Sequence, residues 1–179
     1  MNETDLISDE MREMNEYMHK TDITYGGGSR KAYAHVMNLI KKYECESVLD
    51  YGCGKAKLKD KIRAAECWVK WRNYDPAIEE YKTLPEPADL IIVRDVMEHV
   101  EPEKLDNVFA HIASLSTGIV WFLIPRNKST KTLSDGRNAH LTQKTGEWWA
   151  VRVEKHFVVI DEIKRGKDFN YICKPKGEE

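Results

Sequence analysis

The chain has 179 residues, 41% of them hydrophobic and 32% charged, with 28 lysines and arginines against 30 acids for a net charge of -2. This is the composition of one soluble domain with enough apolar material for a single core, and no run approaches the ~20 apolar residues that a membrane-spanning helix needs. The chain lacks the basic surplus that neutralises phosphates, which disfavours a protein that grips nucleic acid by itself.

The opening MNETDLISDE carries neither the basic start nor the apolar stretch of a signal peptide, so secretion is not expected. Residues 5–20 place Leu6, Met11, Met14 and Met18 at helical spacing, predicting a helix. Tyr25-Gly26-Gly27-Gly28-Ser29 then breaks the chain, because three glycines do not sit well in a helix, and the first segment reads as an arm or lid. A second helix is predicted over 30–43, with Ala32, Val36, Leu39 and Ile40 on one face. From Ser47 strand and helix alternate. A strand at 47–51 ends at Gly52-Cys53-Gly54, and a helix at 56–65 follows, with Leu58, Ile62 and Ala65 inward, although KAKLKDKI also alternates like an exposed strand. Further strands are predicted at 68–74, 89–94 and 118–124, and helices from near Pro102 and at 146–156. The 102 helix turns Leu105, Val108, Ile112 and Leu115 inward, and two strands at 157–163 and 169–173 close the chain. The run Leu90-Ile91-Ile92-Val93 is too apolar for a sheet wet on one face, which implies an α/β sheet covered on both sides. The four cysteines, Cys45, Cys53, Cys67 and Cys173, show no C-x-x-C spacing, so neither a zinc cluster nor a disulfide framework is expected, and a reducing cytoplasm is.

The glycine turn is the most informative stretch. Glycines at alternate positions let the backbone turn tightly and approach a ligand where a helix begins. A dinucleotide fingerprint needs a third glycine where Lys57 stands. An acid, Asp50, precedes the first glycine by two residues, which suits a ligand bearing an amine rather than a pyrophosphate. Asp75, followed by Pro76, closes the next strand, 21 residues after Gly54. In an open α/β sheet both acids face the crevice beyond the strands' carboxyl ends, where Asp75 suits ribose hydroxyls; taken alone it also suits a helix N-cap.

Asp50-x-Gly52-x-Gly54, Asp75, and the strand reaching Arg94 followed by Asp95-Val96-Met97-Glu98-His99 resemble a class I S-adenosylmethionine-dependent methyltransferase over residues 30–174. The resemblance implies a Rossmann-like, doubly wound, mostly parallel sheet with helices on both faces and an antiparallel last strand. It implies one domain over 1–179, an arm at 1–29 and a core at 30–174. It also implies S-adenosyl-L-methionine as donor, with Gly52, Cys53 and Gly54 along its methionine, Asp50 near its amino group, and Asp75 and Pro76 at the ribose. Asp95 and Val96 would stand by the adenine or the reaction centre, with Tyr25 in the lid. Only 13 residues separate Asp75 from Asp89, so the family's usual third strand and helix are expected to be short or missing. The stretch from Leu133 to Leu141, containing Asp135, Arg137, Asn138 and His140, is similar to one in small phage and bacterial methyltransferases.

For the acceptor, the chain lacks the Asn/Asp-Pro-Pro-aromatic motif of amino-methylating enzymes and any Pro-Cys nucleophile, and 179 residues leave no room for a target-recognition domain. O-methylation of a small metabolite, sugar or nucleotide is the expectation, with no membrane partner. Asp95, Glu98, His99 and His140 form a candidate metal set, suited to Mn²⁺, Fe²⁺, Zn²⁺ or Co²⁺ and less naturally to Mg²⁺. The set resembles the metal site of small-RNA 2′-O-methyltransferases and the Glu-His motif of ubiquinone-pathway O-methyltransferases. In the metal-free alternative Glu98 pairs locally and His99 packs under the next helix. His140, Glu98 and His99 are the catalytic candidates, His140 as general base or ligand. Arg126, in the basic loop 125–138, Arg137 and Trp148 are acceptor-binding candidates, against a solvated loop and a core tryptophan pair. Two other functions remain open: a phage-type enzyme that breaks down S-adenosylmethionine, and a non-catalytic binding subunit. The expected location is the cytoplasm, the host's if the chain is phage-encoded.

Overall fold

The computed structural model describes residues 2–27, 32–65, 67–163 and 168–177. Among these, six strands form one sheet in the order β2-β1-β3-β4-β6-β5. They are β1 (Ser47–Tyr51), β2 (Lys70–Tyr74), β3 (Ala88–Arg94), β4 (Ser116–Ile124), β5 (Phe157–Glu162) and β6 (Phe169–Pro175). The first four run parallel, and β6 runs antiparallel to both β4 and β5. This is the Rossmann-like arrangement expected. Leu90, Ile91, Ile92 and Val93 are fully buried, as a strand covered on both faces requires.

Helices α3 (Tyr33–Lys42) and α4 (Lys57–Ala64) cover one face of the sheet through Val36, Leu39, Leu58 and Ile62. On the other face lie α1 (Glu3–Leu6), α5 (Leu105–Leu115) and α6 (Gly146–His156), packed through Leu6, Phe109, Trp149 and Val153. The ambiguous KAKLKDKI segment is helical from Lys57: Leu58 and Ile62 bury one stripe, whereas Ala65, expected inward, is exposed. At the amino edge of the sheet one carboxylate joins three strands, since Asp89 accepts from the backbone and hydroxyl of Ser47 and from Thr117.

Two features bear on the sequence expectation: the first departs from it and the second meets it. The helix predicted over 5–20 is broken into α1 and α2 (Asp9–Thr21). Ser8 makes the break: its side chain caps α2 by accepting from Met11 N–H at 3.1 Å, and its own N–H donates to Glu101 at 2.9 Å. The second feature concerns the expected gap. No strand or helix among the described residues lies between β2 and β3, and α1 packs beside α5 instead. Lys104 and Asn107 donate to the carbonyls of Thr4 and Asp5, and Leu6 joins Leu49, Tyr51 and Tyr74 in the core. Arm residues thus bury apolar sheet surface beside α5. Gly28 and Ser29 of the glycine run, and Arg30 and Lys31 of the predicted 30–43 helix, lie outside the described residues.

Candidate active site

The chain steps from β1 to β2 on one side and then to β3 on the other, so the strand order reverses between β1 and β3. Open α/β sheets place their ligand crevice at that reversal. Here the glycine turn is shaped by three hydrogen bonds. Gly52 N–H and Cys53 N–H both donate to the Tyr74 carbonyl, at 2.7 and 3.0 Å, and Gly54 N–H donates to Asp75 Oδ2 at 3.0 Å. Gly52 and Gly54 adopt φ of 73° and 51°, a region that disfavours side chains. Space forbids side chains as well: a Cβ on Gly52 would lie 2.4 Å from Val96 Cγ2, and one on Gly54 2.6 Å from the Gly26 carbonyl oxygen.

Above this turn lies a cavity of about 300 Å³, in the range of small-molecule sites. The nine residues tied to the donor by resemblance all line it: Tyr25, Asp50, Gly52, Cys53, Gly54, Asp75, Pro76, Asp95 and Val96. Burial pushes the Asp50 carboxyl up to about 7, with Arg94 opposing and Asp75 adding to the shift. Burial also raises Asp75, while His19 and the amides of Ala77 and Gly54 pull it down. The amide of Ala77 donates to Asp75 Oδ1 at 3.0 Å, so each carboxylate oxygen has one backbone partner and a lone pair left for a ligand.

Next to the glycine turn, a 3-10 turn after β3 (Met97–His99) carries Glu98 and His99. Glu98 is fully buried, and among the described residues neither of its carboxylate oxygens accepts a hydrogen bond from another residue. Its Oε1 stands 3.8 Å from His99 Nε2 and 3.8 Å from His140 Nε2. One donor atom from each of the three lies within 4.8 Å of the others, and both histidines line the cavity. His140 Nδ1 is 2.6 Å from the Asn127 carbonyl. A carbonyl only accepts, so Nδ1 carries the hydrogen of this bond, and Nε2 points toward Glu98. The loop is tied to the turn by Thr142 N–H, which donates to the Glu98 carbonyl at 3.0 Å. Burial, with Asp95 adding, raises the Glu98 carboxyl well above its ordinary value, and burial with repulsion from His140 lowers His99 to about 4.

One expected metal ligand is absent from the cluster, and three expected acceptor-binding residues stand away from the cavity. Asp95 is not part of the three-residue cluster; with φ of 56° its carboxylate turns to Arg94 Nη2 at 3.2 Å. Arg126, Arg137 and Trp148 do not line the cavity. Arg126 lies over the Phe169 ring, Arg137 pairs with Asp135, and Trp148 packs beneath the Arg152 guanidinium, 3.3 Å from its ring centroid. Of the tryptophan pair, Trp149 is buried in the core. In the basic loop Lys131 is neutralised by the arm, bonding Asp22 at 2.5 Å and Thr24 at 2.8 Å. The cavity residues that were not predicted as site residues include His19, Arg94 and Glu101. Arg94 and Glu101 flank the Asp-x-x-Glu-His motif and were within reach of a wider window around it, whereas His19 gave no signal in a helical pattern.

The fold, the glycine turn and its paired acids define a nucleoside-binding α/β enzyme of the methyl-transferring class. The chain matches the methyltransferase-domain family over residues 25–165 and belongs to it, as a class I S-adenosylmethionine-dependent methyltransferase. Its fold is similar to that of the 1,6-didemethyltoxoflavin N1-methyltransferase of Burkholderia thailandensis, solved with S-adenosylhomocysteine, at 13% identity and a TM-score of 0.66 over 91% of this chain and 84% of that one. An O-methyltransferase family protein from the same organism aligns at 13% identity and a TM-score of 0.61, over 93% of this chain and 64% of that one. A methyltransferase from Clostridium acetobutylicum aligns at 11% identity and a TM-score of 0.55, over 91% and 99%. No curated protein sequence matches this chain. No helix among the described residues is long and apolar enough to cross a membrane.

Proposed function

We propose that this enzyme methylates a hydroxyl of a small metabolite, sugar or nucleotide, with a divalent cation held by Glu98, His99 and His140. The observation that carries the proposal is the buried Glu98 carboxylate, unpartnered and equidistant from two imidazole nitrogens at the cavity wall. A buried carboxylate without a partner is costly, and two imidazoles with one carboxylate are a donor set that favours Mn²⁺, Fe²⁺, Zn²⁺ or Co²⁺ over Mg²⁺. The hydrogen bond from His140 Nδ1 to a backbone carbonyl is the support that ligating histidines commonly have. Such a cation would lower the pKa of an acceptor hydroxyl bound to it.

The same cavity suits the donor. The sulfonium of S-adenosylmethionine supplies a methyl group that is already electrophilic, so the chain's task is to bind, align and manage one proton. Gly52 and Gly54 admit the donor close to the backbone, Asp50 faces its amino group, and Asp75 takes ribose hydroxyls. With no cation bound, His140 Nε2 itself accepts the acceptor's proton. Residues 1–179 act as one domain, and the arm at 1–29 closes the site as a lid. The neighbour that acts on 1,6-didemethyltoxoflavin supports a small acceptor. Cys45, Cys53, Cys67 and Cys173 are free, which suits a reducing cytoplasm.

The test begins with elemental analysis of purified protein and acceptor pools screened with radiolabelled donor. Labelled product, activity lost with EDTA and restored by Mn²⁺, and a His140→Ala loss of ~10²–10⁴ in turnover at unchanged donor affinity are expected. Full activity in chelator with no bound ion would remove the cation, and full turnover by His140→Ala would remove both roles of that residue. Rapid donor consumption without acceptor would show a donor-degrading enzyme instead.

A further inference from the structure

The arm does more than cover the cavity. His19, on the last turn of α2, turns inward and is partly buried beside the glycine turn. Its Nε2 faces Asp75 Oδ2 at 4.0 Å, beyond hydrogen-bond range, and both residues line the cavity. Its Nδ1 is buried and has no partner among the described residues.

This placement is built rather than incidental. The Tyr25 ring meets the imidazole edge-on, with centroids 4.8 Å apart, and the Tyr25 hydroxyl is fixed by Asn15 at 2.9 Å. Gly26 leaves the space the ring needs, since a Cβ there would lie 2.6 Å from His19 Cε1. Gly26 also accepts from Lys55 N–H at 3.1 Å, which locks the arm to the glycine turn. Met14 and Met18 bury the far side of α2 against Leu133 and Ala139.

We infer that His19 is a ribose-binding residue of the donor site, sharing one ribose hydroxyl with Asp75. The inference rests on Asp75 as the ribose acceptor. A hydroxyl entering the gap donates to the free lone pair of Asp75 Oδ2 and accepts from His19 Nε2–H, so both ends of the 4.0 Å separation are satisfied. Burial lowers the pKa of His19, with Asp75 opposing, so the ring binds as a neutral imidazole at neutral pH. Ribose recognition is then divided between the core, through Asp75, and the arm, through His19. The donor is fully held only with the arm docked.

The test uses full-length protein titrated with S-adenosylhomocysteine and with its 2′-deoxy and 3′-deoxy analogues by calorimetry. His19→Ala should weaken S-adenosylhomocysteine roughly tenfold, the scale of one lost hydrogen bond in a buried site, with the melting temperature little changed. In the same variant the penalty for removing the shared hydroxyl should shrink to the part carried by its bond to Asp75, while the penalty for removing the other hydroxyl stays unchanged. His19→Gln, which keeps a donor, should recover part of both the affinity and the discrimination. Unchanged affinity in His19→Ala overturns the inference. So does weaker affinity with both hydroxyl penalties intact, which assigns His19 to arm packing alone. If wild-type protein fails to bind S-adenosylhomocysteine, the donor site itself is misassigned, a result distinct from either of these.

Discussion

Replacing Glu98 by glutamine should stabilise the metal-free protein and destabilise the metal-loaded one. The side chain is fully buried, and no other described residue donates to either carboxylate oxygen, so the ionised form carries its desolvation cost uncompensated. An unsatisfied buried polar group costs about 1–3 kcal/mol and a charged one more. Glutamine keeps the shape and removes the charge beside His99 and His140. A gain of about 1–3 kcal/mol corresponds to roughly 2–12 °C in Tm for a chain of this size. The pH dependence has a definite sign. The folded Glu98 carboxyl titrates well above its ordinary 4.5, so the native state holds a proton that the unfolded chain has released. Stability therefore falls as pH rises from about 4.5 toward the folded value. His99, lowered from 6.5 to about 4, acts oppositely, adding stability as pH rises through that window. It is present in both proteins, so the difference between wild type and Glu98→Gln isolates the carboxyl and should widen with pH. Saturating Mn²⁺ should reverse the order, since an ion at 1,000 times its Kd adds ~4.1 kcal/mol to the form that binds it. Thermal melts of EDTA-treated and Mn²⁺-loaded protein across pH decide the matter. A metal-free variant less stable than wild type would mean that Glu98 has a partner after all, and an equal Mn²⁺ shift in both proteins would mean that it is no ligand.

Local signals placed most of the fold. The apolar run at 90–93 marked β3, and the 3.6-residue spacing of Leu105, Val108, Ile112 and Leu115 marked α5, all four of which are buried. That Asp50, Gly52, Gly54 and Asp75 line one cavity was legible because the glycine turn and its acids are confined to short motifs at strand ends, where topology brings them together. The break of the arm at Ser8 was also written locally, since Ser-Asp-Glu at 8–10 is a helix-start signature, but the methionine periodicity running through it hid the boundary. What escaped was set by backbone conformation and by side-chain packing that no motif encodes. Asp95 lies on the same motif as Glu98, yet its left-handed backbone turns the carboxylate toward Arg94. Arg126 and Trp148 follow the right strand, but aromatic and cationic neighbours, Phe169 and Arg152, take their faces. The use of α1 beside α5 and the meeting of His19 with Asp75 join residues 56 or more apart in sequence, and no local pattern encodes such a distance.

Asp75→Ala removes the proposed ribose acceptor together with the partner of two backbone amides, Gly54 and Ala77. Each charge-assisted contact is worth ~1.5–3 kcal/mol, so at least a tenfold loss of S-adenosylhomocysteine affinity is expected by calorimetry, and an unchanged Kd would place the ribose elsewhere. Gly54→Ala perturbs the junction between arm and core. The new methyl would fall 2.6 Å from the Gly26 carbonyl oxygen and 2.8 Å from its Cα, both backbone atoms, at a φ of +51° that itself resists a side chain. Neither strain can be relieved by a rotamer change, so the arm must lift from the glycine turn and break the bond from Lys55 N–H to Gly26. Limited proteolysis should then cut within residues 20–27 faster than in wild type, while β1 and β3, held by their own ladders and buried faces, keep the core protected. Donor affinity should fall in the same variant, because lifting Gly26 withdraws Tyr25 and His19 from the cavity. Wild-type cleavage rates with a weakened donor would show that the glycine itself contacts the ligand and that the arm is not seated through it.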